Sequence, residues 1–84
     1  MSEGQLVGKV VHYYDRAGVA VVDLSGRLRV GERIRIEGKG TNLEQDVRSM
    51  QIEHANVEEC KAGSSVGLKV DGRVREGDKV YRLS

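Results

Sequence analysis

Apolar and basic side chains alternate through residues 25–40, SGRLRVGERIRIEGKG. A period of two is the signature of a strand with one buried face and one solvated face. The alternation assigns Leu28, Val30, Ile34 and Ile36 to a core and sets Arg27, Arg29, Arg33 and Arg35 outside, with Gly31 and Glu32 re-aiming the backbone midway. The outcome is an arginine-studded ribbon, the most conspicuous binding surface in the sequence.

The rest of the chain reads as further short strands. Residues 6–14 (LVGKVVHYY) are rich in β-branched and aromatic residues and predict a first strand, with Gly8 as a bulge or a point of close approach. A turn at residues 15–18 leads to VAVVDL at 19–24, where Ala20, Val22 and Leu24 point inward. Its nearly continuous apolar run predicts a strand covered on both faces, or a barrel wall. Residues 37–42 form a flexible loop whose GKGT string lacks the phosphate-loop spacing and any helix after it, so no nucleotide site is expected. Residues 43–52 predict one bulged strand with Val47, Met50 and Ile52 apolar. In the acidic stretch 53–61 (EHANVEECK), Val57 and Cys60 lie three apart and predict a single helical or 3₁₀ turn. Residues 64–70 (SSVGLKV) form a strand with Val66, Leu68 and Val70 inward and Lys69 outward. Turns at 71–72 and 74–78 precede a closing strand at 79–83. Six or seven short strands with regular turns predict an all-β fold, a small closed antiparallel β-barrel that removes sheet edges and is expected to be a monomer. Residues 1–5 are read as a flexible N-terminus and 6–84 as one β-barrel domain, with no repeat, linker or low-complexity segment.

Composition narrows this picture. At 84 residues the core is small, and without Phe or Trp it must be built from Val, Leu, Ile, Ala, Met and Tyr. Eleven glycines and no proline suit tight turns between strands. The net charge is +1, distributed as −1 over residues 1–24, +3 over 25–40, −3 over 41–62 and +2 over 63–84, which predicts a bipolar surface. The single Cys60 excludes an internal disulfide. No apolar run leads the chain, so a cytoplasmic protein without a membrane span is expected. His12, His54 and Cys60 are too widely separated for a zinc signature. No catalytic triad, carboxylate pair or phosphate cradle stands out, so no catalytic residue, cofactor or metal is expected. Adjacent residues of a strand face opposite ways, so one of Tyr13 and Tyr14 is core and the other exposed, free to stack on a base.

The order of the strings VGKVVHYYDRAGVAVVDLSGRLRVGERIRIEG, VRSMQIEHANVEECKAGSSVGLKV and VREGDKVYRL resembles the second domain of the elongation factor Tu family of translational GTPases. It resembles still more closely the stand-alone elongation factor-like barrels and the C-terminal barrel of collagenase-like peptidase-family proteins. The first resemblance implies a translation-factor-type module, not an enzyme, that binds tRNA, rRNA or a ribonucleoprotein. At the positions where the factor's acyl-end pocket uses an arginine and an asparagine, this chain has Gln51 and Ser65. The expected RNA face comprises Arg27, Arg29, Arg33 and Arg35 with Lys9, Lys39 and Lys69 on phosphates, and Tyr14, Gln51 and Ser65 beside them. The rival expectation is a protein-interaction domain that docks on a separately encoded peptidase-family or RNA-modifying enzyme.

Overall fold

A computed structural model describes residues 4–83. It contains strands β1 (Gln5–Tyr14), β2 (Val19–Leu24), β3 (Leu28–Arg29), β4 (Arg33–Gly38), β5 (Thr41–Asp46), β6 (Met50–Ile52), β7 (Ala55–Val57), β8 (Glu59–Cys60), β9 (Ser65–Lys69) and β10 (Lys79–Arg82). All pairings are antiparallel: eight strands run in the order β5-β4-β10-β1-β2-β9-β6-β7, and β3 pairs with β8 apart from them. No helix occurs among the described residues, so the turn expected over residues 53–61 is instead the strands β7 and β8. Of the expected N-terminal segment, residues 1–3 lie outside the described residues, and Gln5 already pairs with Arg82.

The inward set follows the alternation. Val7, Val10, Ala20, Val22, Leu28, Ile34, Ile36, Leu68 and Val80 are wholly buried, each such aliphatic side chain contributing roughly 1.5–3 kcal/mol, with Ala less. Val30 departs from it, being 39% exposed. It occupies the second position of a turn over residues 29–32, where the chain points away from the sheet and the period of two lapses. Gly8 meets the expectation for close approach: a Cβ there would lie 2.7 Å from Val22 Cγ1 and 2.9 Å from the Asp23 carbonyl. The expected 37–42 loop is a tight β4–β5 hairpin, with Gly40 at φ 88° and Gly38 paired to Thr41. The expected strand at 43–52 breaks into β5 and β6, because Val47 turns away to bond Glu32 and Gly31.

Two stretches of the chain repeat one another, contrary to the reading of no repeat. Gly26, Arg27, Arg29 and Gly31 recur as Gly72, Arg73, Arg75 and Gly77, each 46 positions on, with Leu28, Glu32, Arg33 and Ile34 recurring as Val74, Asp78, Lys79 and Val80. Their turns share backbone angles and hydrogen bonds. Gly31 and Gly77 adopt φ 99° and 93°, a region open to glycine at little cost. Glu32 Oε1 accepts the Arg29 N–H at 2.8 Å, and Asp78 Oδ2 accepts the Arg75 N–H at 2.8 Å. Gly31 N–H donates to Val47 O (2.9 Å) and Val47 N–H to Glu32 O (2.8 Å); Gly77 N–H donates to Val10 O (2.8 Å) and Val10 N–H to Asp78 O (2.8 Å). Equivalent residues also pair with each other in the sheet, Val21 with Gly67 and Arg35 with Tyr81. Such self-pairing of equivalent positions places a pseudo-twofold axis through those two residue pairs.

The symmetry fails at one seam. In the first copy β2 pairs along β1, and Ser25 N–H donates to Val7 O (2.7 Å). In the second, the β6–β7 hairpin lies along β9, and the buried Gln45 side chain bridges β5 to it instead. Gln45 Nε2 donates to Lys69 O (2.9 Å), and Gln45 Oε1 accepts the Asp71 N–H (2.7 Å). Strand pairing therefore does not close the sheet, and the expected barrel closure is not made by a main-chain ladder.

Candidate functional site

Around the turn at residues 29–32, the ribbon's Arg27, Arg33 and Arg35 guanidinium groups are engaged by carboxylates. Arg33 lies 3.2 Å from Glu44 and 2.9 Å from Asp46, Arg35 3.3 Å from Glu37 and 3.6 Å from Glu44, and Arg27 3.4 Å from Glu59. Asp46, then Glu44, raise the Arg33 pKa above its ordinary value by hydrogen bonding. The register explains this: β4 and β5 pair Arg33 with Asp46 and Arg35 with Glu44. β4 from the +3 segment and β5 from the −3 segment are thus neighbouring strands of one hairpin whose charges neutralise one another locally. Arg29 is exposed, with its main-chain N–H on Glu32, Lys9 stands exposed on β1, and Lys39 sits in the β4–β5 turn.

Three of the expected residues, Tyr14, Gln51 and Ser65, meet elsewhere. They line a groove of about 550 Å³ on the outer face of β2, β9 and β6, together with Ala17, Val19, Val21, Glu53, His54 and Gly67. β10 and β1 separate it from β4 and its arginines. The sequence explains its floor. In VAVVDL, Ala20, Val22 and Leu24 fill the core, which leaves Val19 and Val21 half-exposed on the opposite face. Val21 is paired with Gly67, whose missing side chain leaves the floor open. A Cβ on Gly67 would meet only ordinary contacts, 3.4 Å from Val19 Cγ1 and 3.8 Å from Gln51 O.

Polar groups rim the floor. The Tyr14 ring, 54% exposed, is braced edge-on by His12 at a centroid separation of 4.3 Å, and His12 Nδ1 is 3.1 Å from Glu76 Oε2. Tyr13 is the half-buried member of the tyrosine pair, packed on the core. Gln51 Nε2 donates to Asn56 Oδ1 at 3.0 Å, and the Ser65 hydroxyl donates to Asp23. Lys69 Nζ donates to Ala17 O at 2.6 Å. Glu53 and His54, which also line the groove, form the two-residue turn between β6 and β7, at φ 51° and 69°. Both residues of such a turn need positive φ, which is why Asn-Gly is preferred there. A glutamate and a histidine in that conformation cost roughly 1–2 kcal/mol each. Sequence reasoning missed Glu53, His54, Val19 and Val21 as site residues. The available signals were the two-residue gap between Ile52 and Ala55 and the outward valines of an unbroken apolar strand.

A second hollow of about 620 Å³ lies among the hairpin turns, lined by Gly38, Gly40, Thr41, Asn42 and Gly77 with Glu37, Lys79 and Tyr81. Glycines and polar side chains make up most of its lining residues. Among the described residues no cluster of His, Cys, Asp and Glu could hold a metal ion, and no helix is long and apolar enough to cross a membrane. Cys60 is buried, and that burial, with Glu59 adding to it, pushes the thiol pKa up.

No family model matches the chain. It is 46% identical over 78 residues to an uncharacterized protease of Methanocaldococcus jannaschii, a match covering 92% of this chain and 19% of that protein. It is 37% identical over 79 residues to a collagenase of Porphyromonas gingivalis, covering 92% of this chain and 22% of that protein. The chain therefore spans about a fifth of the length of these curated relatives. Among solved structures it matches the C-terminal domain of a protein of Geobacillus thermoleovorans assigned to the U32 peptidases, with a TM-score of 0.88 at 18% identity, covering 95% of this chain and 93% of that one. At that identity the likeness shows the fold. None of these three relatives is an elongation factor. They overturn the expectation of a translation-factor module that binds RNA, and with it the expectation that this chain stands apart from enzymes: its relatives are a protease, a collagenase and the C-terminal domain of a U32 peptidase.

Proposed function

We propose that this chain is a peptide-positioning β domain of a peptidase-family enzyme, and that the groove over Val19, Val21 and Gly67 is where the peptide lies. The observation that carries the reading is the coincidence of two things. Nearly the whole chain matches proteins named for proteolysis, and its groove over Val19 and Val21 is rimmed by an exposed tyrosine, an amide and a hydroxyl. An extended peptide offers such a site apolar side chains for the floor and free main-chain groups for the polar rim. The match covers 19–22% of the relatives' length, so the reading assigns substrate positioning to this portion of the enzyme. It also takes the Gln45 seam as the closure of a barrel, which makes β2, β9 and β6 a rigid platform.

The test is an amide-resolved NMR titration of the ¹⁵N-labelled chain with a peptide mixture from unfolded collagen. Saturable shifts confined to the neighbourhood of Tyr14, Val21, Gln51 and Gly67, and lost in Gly67→Ala, are expected. Shifts that do not saturate, or that fall instead on the outer face of β4, would remove the groove from the proposal.

A further inference from the structure

Resting on that peptide-binding reading, we propose that the groove is specific for an arginine side chain within an extended peptide. The aliphatic stem would lie over Val19 and Val21, with the guanidinium between the Tyr14 ring and the Glu53 carboxylate. Charge complementarity points this way. Of the charged groups lining or touching the groove, Glu53 and Asp23 are acidic, Asp23 being bound to the Ser65 hydroxyl. The lysine on this face, Lys69, spends its ammonium on the Ala17 carbonyl at one end. His54 adjoins Glu53 in the chain. A valine floor suits the stem of arginine, which buries its methylenes while its head stays polar. An exposed tyrosine face offers a cation–π seat that a planar guanidinium fills well. Glu53 is held at the rim by a left-handed backbone that a glutamate rarely adopts, and strain of this kind persists where a side chain's position matters.

The arrangement also sets its own selectivity. A peptide with glutamate in place of arginine brings a carboxylate against Glu53 and Asp23. One with citrulline keeps the planar shape and loses only the charge. An exposed cation–π contact and an exposed ion pair together correspond to a preference of about fivefold to tenfold for arginine over citrulline.

The experiment compares three capped pentapeptides, Gly-Ala-Xaa-Ala-Gly with Xaa arginine, citrulline or glutamate, titrated by NMR against the full chain and against Glu53→Gln, Glu53→Asn and Tyr14→Leu. Asparagine tolerates the left-handed conformation, so Glu53→Asn keeps the fold under test even if Glu53→Gln disturbs the turn. The expected result is a binding order of arginine, then citrulline, then glutamate, with the arginine advantage lost in the Glu53 variants and reduced in Tyr14→Leu. Equal affinity for the arginine and citrulline peptides overturns the cation specificity and leaves peptide binding standing. Failure of all three peptides and of the collagen peptide mixture overturns both readings.

Discussion

The two copies of the Gly-Arg-x-Arg-x-Gly-acid turn share their main-chain bonds and differ in what surrounds the acid. In the first copy Glu32 is half-exposed, and the turn is covered from outside by Val30 N–H donating to Glu58 O and by β8 pairing with β3. In the second, Asp78 is 4% exposed and packed against Gly38, where a Cβ would fall 1.8 Å from Asp78 Oδ1. One hydrogen bond, a carboxylate capping an arginine N–H three residues earlier, is thus an exposed contact in one copy and a partly buried one in the other. The difference teaches that local geometry is set by the repeated residues, whereas the worth of the geometry is set by burial, since an orphaned donor costs its full desolvation only where water cannot reach it.

That contrast can be broken at several points. The largest effect is expected from Asp78→Ala, which empties the space the buried carboxylate fills against Gly38 and leaves the Arg75 N–H without its acceptor; it should lower stability by about 2 kcal/mol, against about 0.5 kcal/mol for Glu32→Ala. Urea unfolding of the two variants reads the difference directly, and equal losses would mean that burial does not distinguish the copies. Next comes the hairpin that only the second copy carries. Replacing Glu53 and His54 by Asn-Gly should stabilise the fold by roughly 1–2 kcal/mol, relieving two left-handed residues, while abolishing the preference for the arginine over the citrulline peptide. A gain in thermal midpoint with that preference intact would separate the strained turn from the groove. Smaller still, Gly67→Ala moves the second copy toward the Val21 of the first; it should add about 0.5 kcal/mol by removing a strand glycine and occlude the groove floor. The smallest effect concerns Cys60, which lies against the first copy through its pairing with Leu28. Its thiol pKa is raised in the folded state above an ordinary value of 9.0, so the folded chain holds that proton more tightly. The associated stability is present below pH 9.0 and is lost as pH rises through the folded-state value. Denaturation midpoints measured from pH 8 to pH 10 should therefore fall more steeply for the native chain than for Cys60→Ala.

Much of the fold was legible because alternation survives wherever strands are half-buried. Ala20, Val22, Leu24, Val66, Leu68 and Val70 are buried as the period of two assigns them, and Gly8 sits at a register shift. The errors fall where a short pattern has two physical meanings. Val30 fits the alternation yet occupies a turn, because one residue of phase cannot tell a strand from the corner that ends it. Val57 and Cys60 fit one helical turn, but a spacing of three seen once carries no period. The repeat is faint in the sequence because its identical residues are two glycines and two arginines, and its other positions match only in type, as Leu28 with Val74 and Glu32 with Asp78. At the groove, Gln51 and Ser65 follow from a family resemblance and Tyr14 from the opposite facing of adjacent strand residues, whereas Glu53 and His54 carry none of the Gly or Asn chemistry that announces a two-residue hairpin. The pairing of Arg33 and Arg35 with Glu44 and Asp46 is open to reading once residues 33–38 and 41–46, on either side of the Lys39-Gly40 turn, are taken as two strands of one hairpin.

The pairing of Gln5 with Arg82 has a consequence for how the domain can be wired. The first and last described strands, β1 and β10, lie side by side, and Leu83 N–H is fastened to Arg33 O at 2.7 Å. The chain therefore enters and leaves at neighbouring points, so a few residues suffice to join its ends. A circular permutant reopened at the Lys39-Gly40 hairpin would retain every strand and both turns of the repeat. By the same geometry a host protein can carry this unit as a tail or as an insert in a surface loop, because the loop's two stems need not be moved apart to receive it.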